Sequence, residues 1–314
     1  MFGRFGICVA LAMGLAALPA CTGAPDRSRE VEQLEREISA MPGVKLFSAN
    51  SENSFERGTY LDLEAEMTEA SEDRIAAVVS RIDQIKGDGF GEYDQSAEFT
   101  VGHGLSVARS ADLDPRQIAD DARRLRQVTA AVPAAPDSEI KWFRNPSVAD
   151  RMEADNLPRQ DLLSALRPVL GDEAVRVRIS SDRTAGDAVW TVNFPLSAER
   201  QDTVDHQVSA LPLKALSLIV DDGHISRLTV RVDQWPEGVE DGLVRIVETI
   251  GPSPQHPLML HWSTPSGQGL DGSVNVGACA YGQVSGDDPP EESLIPDAAE
   301  LQKKLRSKYD TCPR

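Results

Sequence analysis

Residues 38–42 read ISAMP, residues 208–212 read VSALP, and residues 128–133 read VTAAVP, a looser version of the same phrase. In each, an apolar stretch with helical spacing runs into a proline, which lacks a backbone donor and disfavours helix in the residue before it. The three prolines, Pro42, Pro133 and Pro212, stand 91 and 79 residues apart. That spacing exceeds the 20–50 residues typical of solenoid repeats, so each copy is long enough to carry a small core of its own.

The segments after each proline alternate in character. In the first stretch, VKLFSA and TYLDLEAE read as strands, the second turning Leu61, Leu63 and Ala65 to one side and Asp62, Glu64 and Glu66 to the other. A helix follows with Ile75, Val78, Val79, Ile82 and Ile85 on one stripe and KGDG at its end, and AEFTVGHGLSVARS closes the stretch as one long strand or two short ones. The third stretch has the same order, with ALSLIV and ISRLTVRV joined by DDGH, where Asp222-Gly223 is a strong hairpin signal. In the middle stretch the second strand is obscure: NPSVADRME either fills its place or forms a loop.

These elements predict an α+β chain made of tandem two-layer α/β sandwich repeats. The repeat order is αββαβ, ferredoxin-like in arrangement, with an extra strand in copies two and three and mainly antiparallel sheets wet on one face. The expected boundaries are 29–112, 113–195 and 196–282, followed by an acidic loop and a C-terminal helix over 283–314.

The N-terminus has a different character. Arg4 and the apolar run FGICVALAMGLAALPA make residues 1–20 an export signal, too short and too glycine-interrupted for a membrane-spanning helix. The signal ends in LPAC, Leu18–Cys21, which resembles the bacterial lipobox and, over residues 1–21 only, the envelope lipoproteins of high-GC bacteria. The resemblance implies that Cys21 is diacylated and becomes the new N-terminus. Each buried acyl CH₂ then contributes about 0.8 kcal/mol, and two chains suffice for stable attachment. The chain is therefore expected at the cell membrane, lipid-anchored on the extracytoplasmic side. Residues 21–28 form a tether that holds the folded part within roughly 25 Å of the bilayer.

The whole chain carries a formal charge of −18, and loss of residues 1–20, with one arginine and no acid, makes it −19. Such a balance argues against nucleic acid and against anionic lipid headgroups as partners. With Cys8 leaving in the signal and Cys21 lipidated, Cys279 and Cys312 remain. In an oxidising compartment they are expected to pair, closing a loop worth about 3.5–4 kcal/mol, the alternative being two separate buried thiols.

The chain has no HExxH, GxSxG, P-loop or CxxC pattern, and no cofactor or metal is expected. His256 and His261 lie five apart in a predicted strand, where an odd offset turns them to opposite faces. His103, between glycines, is explained by a bend. The acidic runs VDDG and GDDPPEE are explained by turn chemistry and a solvated loop. Trp142, Trp190, Trp235 and Trp262 fall in or beside predicted strands, where packing explains them better than a platform for glycans.

What stands out is the polar side of the strands: Asp62, Glu64 and Glu66 in one, Arg176 and Arg178 in another, Arg227 and Arg231 in a third. Opposite-sign surfaces steer and orient association. The expected function is non-catalytic binding or scaffolding at the cell envelope, with an envelope protein or a glycan as partner. The rival is an extracellular hydrolase drawing on Asp221, Asp222 or Glu240 near His224.

Overall fold

The computed structural model describes residues 25–54, 58–133, 135–145, 147–181, 187–233, 238–263, 272–277, 294 and 296–309. The signal, Cys21, Cys279, Cys312, Trp235 and nearly all of the acidic loop lie outside the described residues.

The chain is α+β, and its strands join one sheet. The elements are α1 (Ser28–Ile38), β1 (Leu46–Ser54), β2 (Gly58–Glu66), α2 (Glu72–Lys86), β3 (Asp94–Gly102), β4 (Leu105–Arg109) and α3 (Pro115–Ala131). They continue with β5 (Glu139–Asn145), β6 (Val148–Asp155), α4 (Arg159–Leu170), β7 (Val175–Ser180), β8 (Val189–Asn193) and α5 (Ala198–Ser209). Last come β9 (Lys214–Asp221), β10 (His224–Arg231), α6 (Val239–Ile250), β11 (Leu258–Ser263), β12 (Gly272–Val276) and α7 (Pro296–Tyr309). The twelve strands lie side by side in chain order.

Each strand pair within a hairpin is antiparallel, and each pair bridged by a helix is parallel. Among the described residues the sheet thus has six antiparallel and five parallel ladders, which corrects the expectation of mainly antiparallel pairing. The cause is the helices: a crossover of a dozen or more residues returns the chain to the end from which it set out. Nor do the strands interleave as in a ferredoxin-like sheet, since every strand neighbours its sequence neighbours.

The stretches 29–112, 113–195 and 196–282 each hold αββαββ: the extra strand expected in the second and third is also present in the first, where VGHG is a hairpin between β3 and β4, and NPSVADRME supplies β6 in the second. The ladder runs on across both junctions, β4 to β5 and β8 to β9.

This topology explains the three marks. One αββ unit is followed by another pointing the opposite way, so an orientation recurs only every second unit. The marked helices are α1, α3 and α5, which share one direction and end before a proline. The intervening α2, α4 and α6 end instead at Gly87, Gly171 and Gly251, with φ of 48°, 57° and 63°. In all three a terminal N–H bonds back to the last turn, the usual use of glycine at a helix end.

One apolar row crosses ten strands: Phe47, Ala65, Phe99, Val107, Trp142, Met152, Val177, Val192, Val220 and Ile225. It joins the buried stripes of α1 to α6 in a single hydrophobic cluster. Polar contacts tie helix to helix along that side. Arg81 of α2 pairs with Glu37 of α1, and Arg126 of α3 donates to Glu72 at 2.9 Å and to the Ala70 carbonyl at 2.7 Å. Arg159 of α4 pairs with Asp205 of α5, and Gln207 of α5 donates to the Ile250 carbonyl at 3.1 Å. With α1 to α6 on one face while successive crossovers run in opposite directions, the crossovers alternate in hand, an exception to the general right-handed preference.

Candidate functional site

The other face of the sheet carries the side chains that alternate with the apolar row. Two lines of register order them. One runs Leu46, Glu66, Thr100, Ser106, Lys141, Glu153, Arg178, Thr191, Ile219, Arg227. The next runs Ser48, Glu64, Glu98, Ala108, Phe143, Arg151, Arg176, Asn193. Asp62 lies one step further along β2, opposite Asn50 and Ser96, and Arg231 lies at the far end of β10. All seven residues singled out in the sequence therefore share one face of one sheet. Four carboxylates, Asp62, Glu64, Glu66 and Glu98, lie on β2 and β3, and the guanidinium groups lie on β6, β7 and β10, with Glu153 beside them on β6.

These charges are partly committed. Glu66 takes a 2.5 Å contact from Lys45, Asp62 accepts from Ser96 Oγ at 2.6 Å, and Glu98 pairs with Lys141. Arg176 donates to Asn193 at 3.0 Å, Asn193 donates to Asp221, and Arg231 pairs with Asp233 at 2.7 Å. Glu64 and Arg178 are exposed and have no ion pair or hydrogen-bond partner among the described residues. Near-surface pairs of this kind contribute about 0–1 kcal/mol each, so the pattern shapes the field of the face more than it stabilises the fold.

Near the centre, a cleft of about 360 Å³ opens over Ala108, with Ser96, Glu98, Lys141, Phe143 and Arg151 around it. Ala108 makes the floor low because its neighbours in register, Glu98 and Phe143, are larger. The Phe143 ring carries Lys141 Nζ at 5.0 Å and the Arg151 guanidinium at 4.2 Å from its centroid, both within cation–π range. Sequence analysis missed this cluster; its only signal was KWF followed eight residues later by Arg151.

Under the opposite face lies a buried ion network that sequence analysis also missed. Asp121 of α3, 1% exposed, accepts from Arg109 of β4 and from Arg144 of β5 at 2.8 and 2.9 Å. Arg144 also pairs with Asp150 of β6 and reaches Glu173 at 3.3 Å. Burial pulls the Arg109 pKa down against the pull of Asp121. For Arg144 burial acts the same way, but Asp121, Asp150 and Glu173 outweigh it and leave the pKa raised. The guanidinium of Arg144 lies 4.3 Å from the Trp142 ring centroid. This arrangement satisfies charge inside the core, where removal of one partner would be costly.

Of the residues of the rival reading, Asp221 lies opposite His224 across the β9–β10 turn, where it accepts from Asn193 and Ser226, and the others are engaged elsewhere. His224 stacks on His256 with ring centroids 3.6 Å apart, Asp222 turns to Arg200, and Glu240 pairs with Lys304 at 2.6 Å. Burial, then His256 and Arg200, push the His224 pKa below its usual value. His256 precedes β11 and His261 lies within it, buried. His103 caps the β3–β4 hairpin, its Nε2 3.0 Å from the Pro136 carbonyl. Among the described residues no group of three or more His, Cys, Asp or Glu is placed to hold a metal, and no helix is long and apolar enough to cross a membrane. Comparison with family models, with curated proteins and with solved structures found no match.

Proposed function

We propose that this chain is a lipid-anchored extracytoplasmic protein with a binding or scaffolding role at the cell envelope, and that the helix-free face of its sheet is the working surface. We read its three αββαββ stretches as tandem copies of one unit, which the alternating proline and glycine helix ends support. One observation carries the functional reading: α1 to α6 lie on one side, leaving a broad polar face on which Asp62, Glu64, Glu66 and Glu98 lie toward the β1 end and the guanidinium groups further along, with Glu153 and Asp221 among them. Segregated charge orients a partner of complementary pattern and raises its rate of encounter. An envelope protein, or a glycan stacked against Phe143, fits that surface. Attachment rests on LPAC and the lipid on Cys21.

The test is site-specific photo-crosslinking in intact cells at Glu64, Arg178 and Phe143, beside control sites on the helix side at Arg36 and Arg123. A Cys21→Ser variant is fractionated in parallel. Specific adducts confined to the sheet face, with Cys21→Ser released from membranes, are expected. Adducts at the control sites alone would defeat the surface assignment, and a membrane-bound, unlipidated Cys21→Ser would defeat the anchor.

A further inference from the structure

The two edges of the sheet are treated differently. At β12, α7 closes the edge: the Ser273 N–H donates to Gln302 Oε1 at 2.8 Å and Arg306 Nε donates to the Ser273 carbonyl at 3.1 Å. At β1, the Ala49 N–H turns outward and reaches Glu35 Oε1 at 3.4 Å. That contact fixes which way the backbone faces. If Ala49 points away from β2, so do Phe47 and Ser51, because in-plane direction alternates along a strand.

Edge strands are usually blunted by lysine, proline, bulges or brevity. β1 uses none of these. It pairs with β2 over nine consecutive positions without a register shift, whereas the β3–β4, β5–β6 and β9–β10 ladders all shift. Its sequence, LFSANSENS, holds no lysine or proline, and Leu46 at its start is 63% exposed.

We propose that the outer edge of β1 takes up an extended segment of a partner protein as an added strand, and that this segment carries Lys or Arg at alternate positions. The main chain of β1 supplies the pairing. Charge supplies the selection: on the open face Ser48 and Asn50 are short and uncharged, so a long cation on the added strand passes over them toward Glu64 and Asp62. These lie on β2, about 9.6 Å or two strand spacings away. Glu64 is exposed and has no cation among the described residues. A second copy of this chain is a poorer occupant, because pairing β1 with β1 brings two acidic ends together. The inference rests on the open face being the working surface, and it names the kind of partner that face would receive at one end.

The experiment uses the full chain in detergent and two labelled nine-residue peptides, one alternating Lys with Val and Thr, the other with Glu in place of every Lys. Binding is followed by fluorescence anisotropy, and amide exchange in β1 by mass spectrometry. The lysine peptide is expected to bind and to slow exchange at Ala49 and Ser51, and the glutamate peptide to show at least tenfold weaker binding. Ser51→Pro removes an outward N–H without touching the β1–β2 ladder and should weaken binding at least tenfold, whereas Ser51→Ala should not. Glu64→Lys should weaken it similarly without altering the backbone. Equal binding of both peptides, no binding, unchanged binding to both Ser51→Pro and Glu64→Lys, or self-association that already protects β1, would each overturn the proposal. Crosslinks at Arg178 and Phe143 without any β1 effect would overturn it while leaving the binding face intact.

Discussion

Replacing Asp121 by Asn tests the buried network at its centre. The carboxylate is 1% exposed and accepts from two arginines, of which Arg109, 3% exposed, has no other carboxylate within bonding distance among the described residues and there keeps the Ala108 carbonyl at 2.9 Å. Arg144, 11% exposed, retains Asp150 and Glu173. The substitution therefore strands one guanidinium in the core while leaving the other paired. Breaking a buried pair by removing one partner costs about 3–5 kcal/mol. With an m-value of about 3 kcal/mol/M, the urea midpoint should fall by about 1 to 1.7 M. Tryptophan fluorescence is the natural probe, since the ring of Trp142 lies against Arg144. Combining Arg109→Met with Asp121→Leu removes both members of the stranded pair and should recover most of the loss. A midpoint shift under about 0.3 M for Asp121→Asn, or a double variant no better than the single one, would refute the reasoning.

Three further outcomes follow from the same structure. The folded-state pKa of His224 lies below the ordinary value of 6.5, so its contribution is complete above pH 6.5 and is lost as pH falls through the folded-state value. His224→Gln should flatten the decline in urea midpoint between pH 7.5 and pH 5. Gly104 has φ of 66° and would press a Cβ onto the Ser138 carbonyl, so Gly104→Ala should cost more than about 1 kcal/mol, read as a lower midpoint. Gln302→Ala with Arg306→Ala uncovers the β12 edge and should produce concentration-dependent association in sedimentation velocity, with little change in the midpoint of the monomer.

Much of the fold was legible because strands such as β2, β3 and β7 are wet along one face, although β11 is buried at every position from Leu258 to Trp262. The alternation of Leu61, Leu63 and Ala65 with Asp62, Glu64 and Glu66 identifies β2, and Asp222-Gly223 forms the expected tight turn with φ of 47° and 73°. β6 was obscure for a physical reason: one of its inward positions is Asp150, held there by Arg144, and that breaks the apolar alternation. Parallel and antiparallel neighbours leave the same period-two trace, so the five parallel ladders could not be read from periodicity. The unit length was concealed by inversion, since only every second helix ends at a proline. Along the helix-free face, the sign of each strand was readable, but the order of strands that brings Glu64 into line with Glu98, Ala108, Phe143, Arg151 and Arg176 was not.

The account stands on one unbroken sheet whose side opposite α1 to α6 is open to solvent from β1 to β10. The most direct measurement places cysteine pairs in register across the two junctions, Ala108→Cys with Phe143→Cys and Thr191→Cys with Ile219→Cys, and treats the protein with a thiol crosslinker of about 5 Å reach. Mass spectrometry should find both linked peptides, with all four thiols open to a membrane-impermeant reagent in the absence of crosslinker. Failure of either pair to link, or thiols shielded until the protein unfolds, would contradict it.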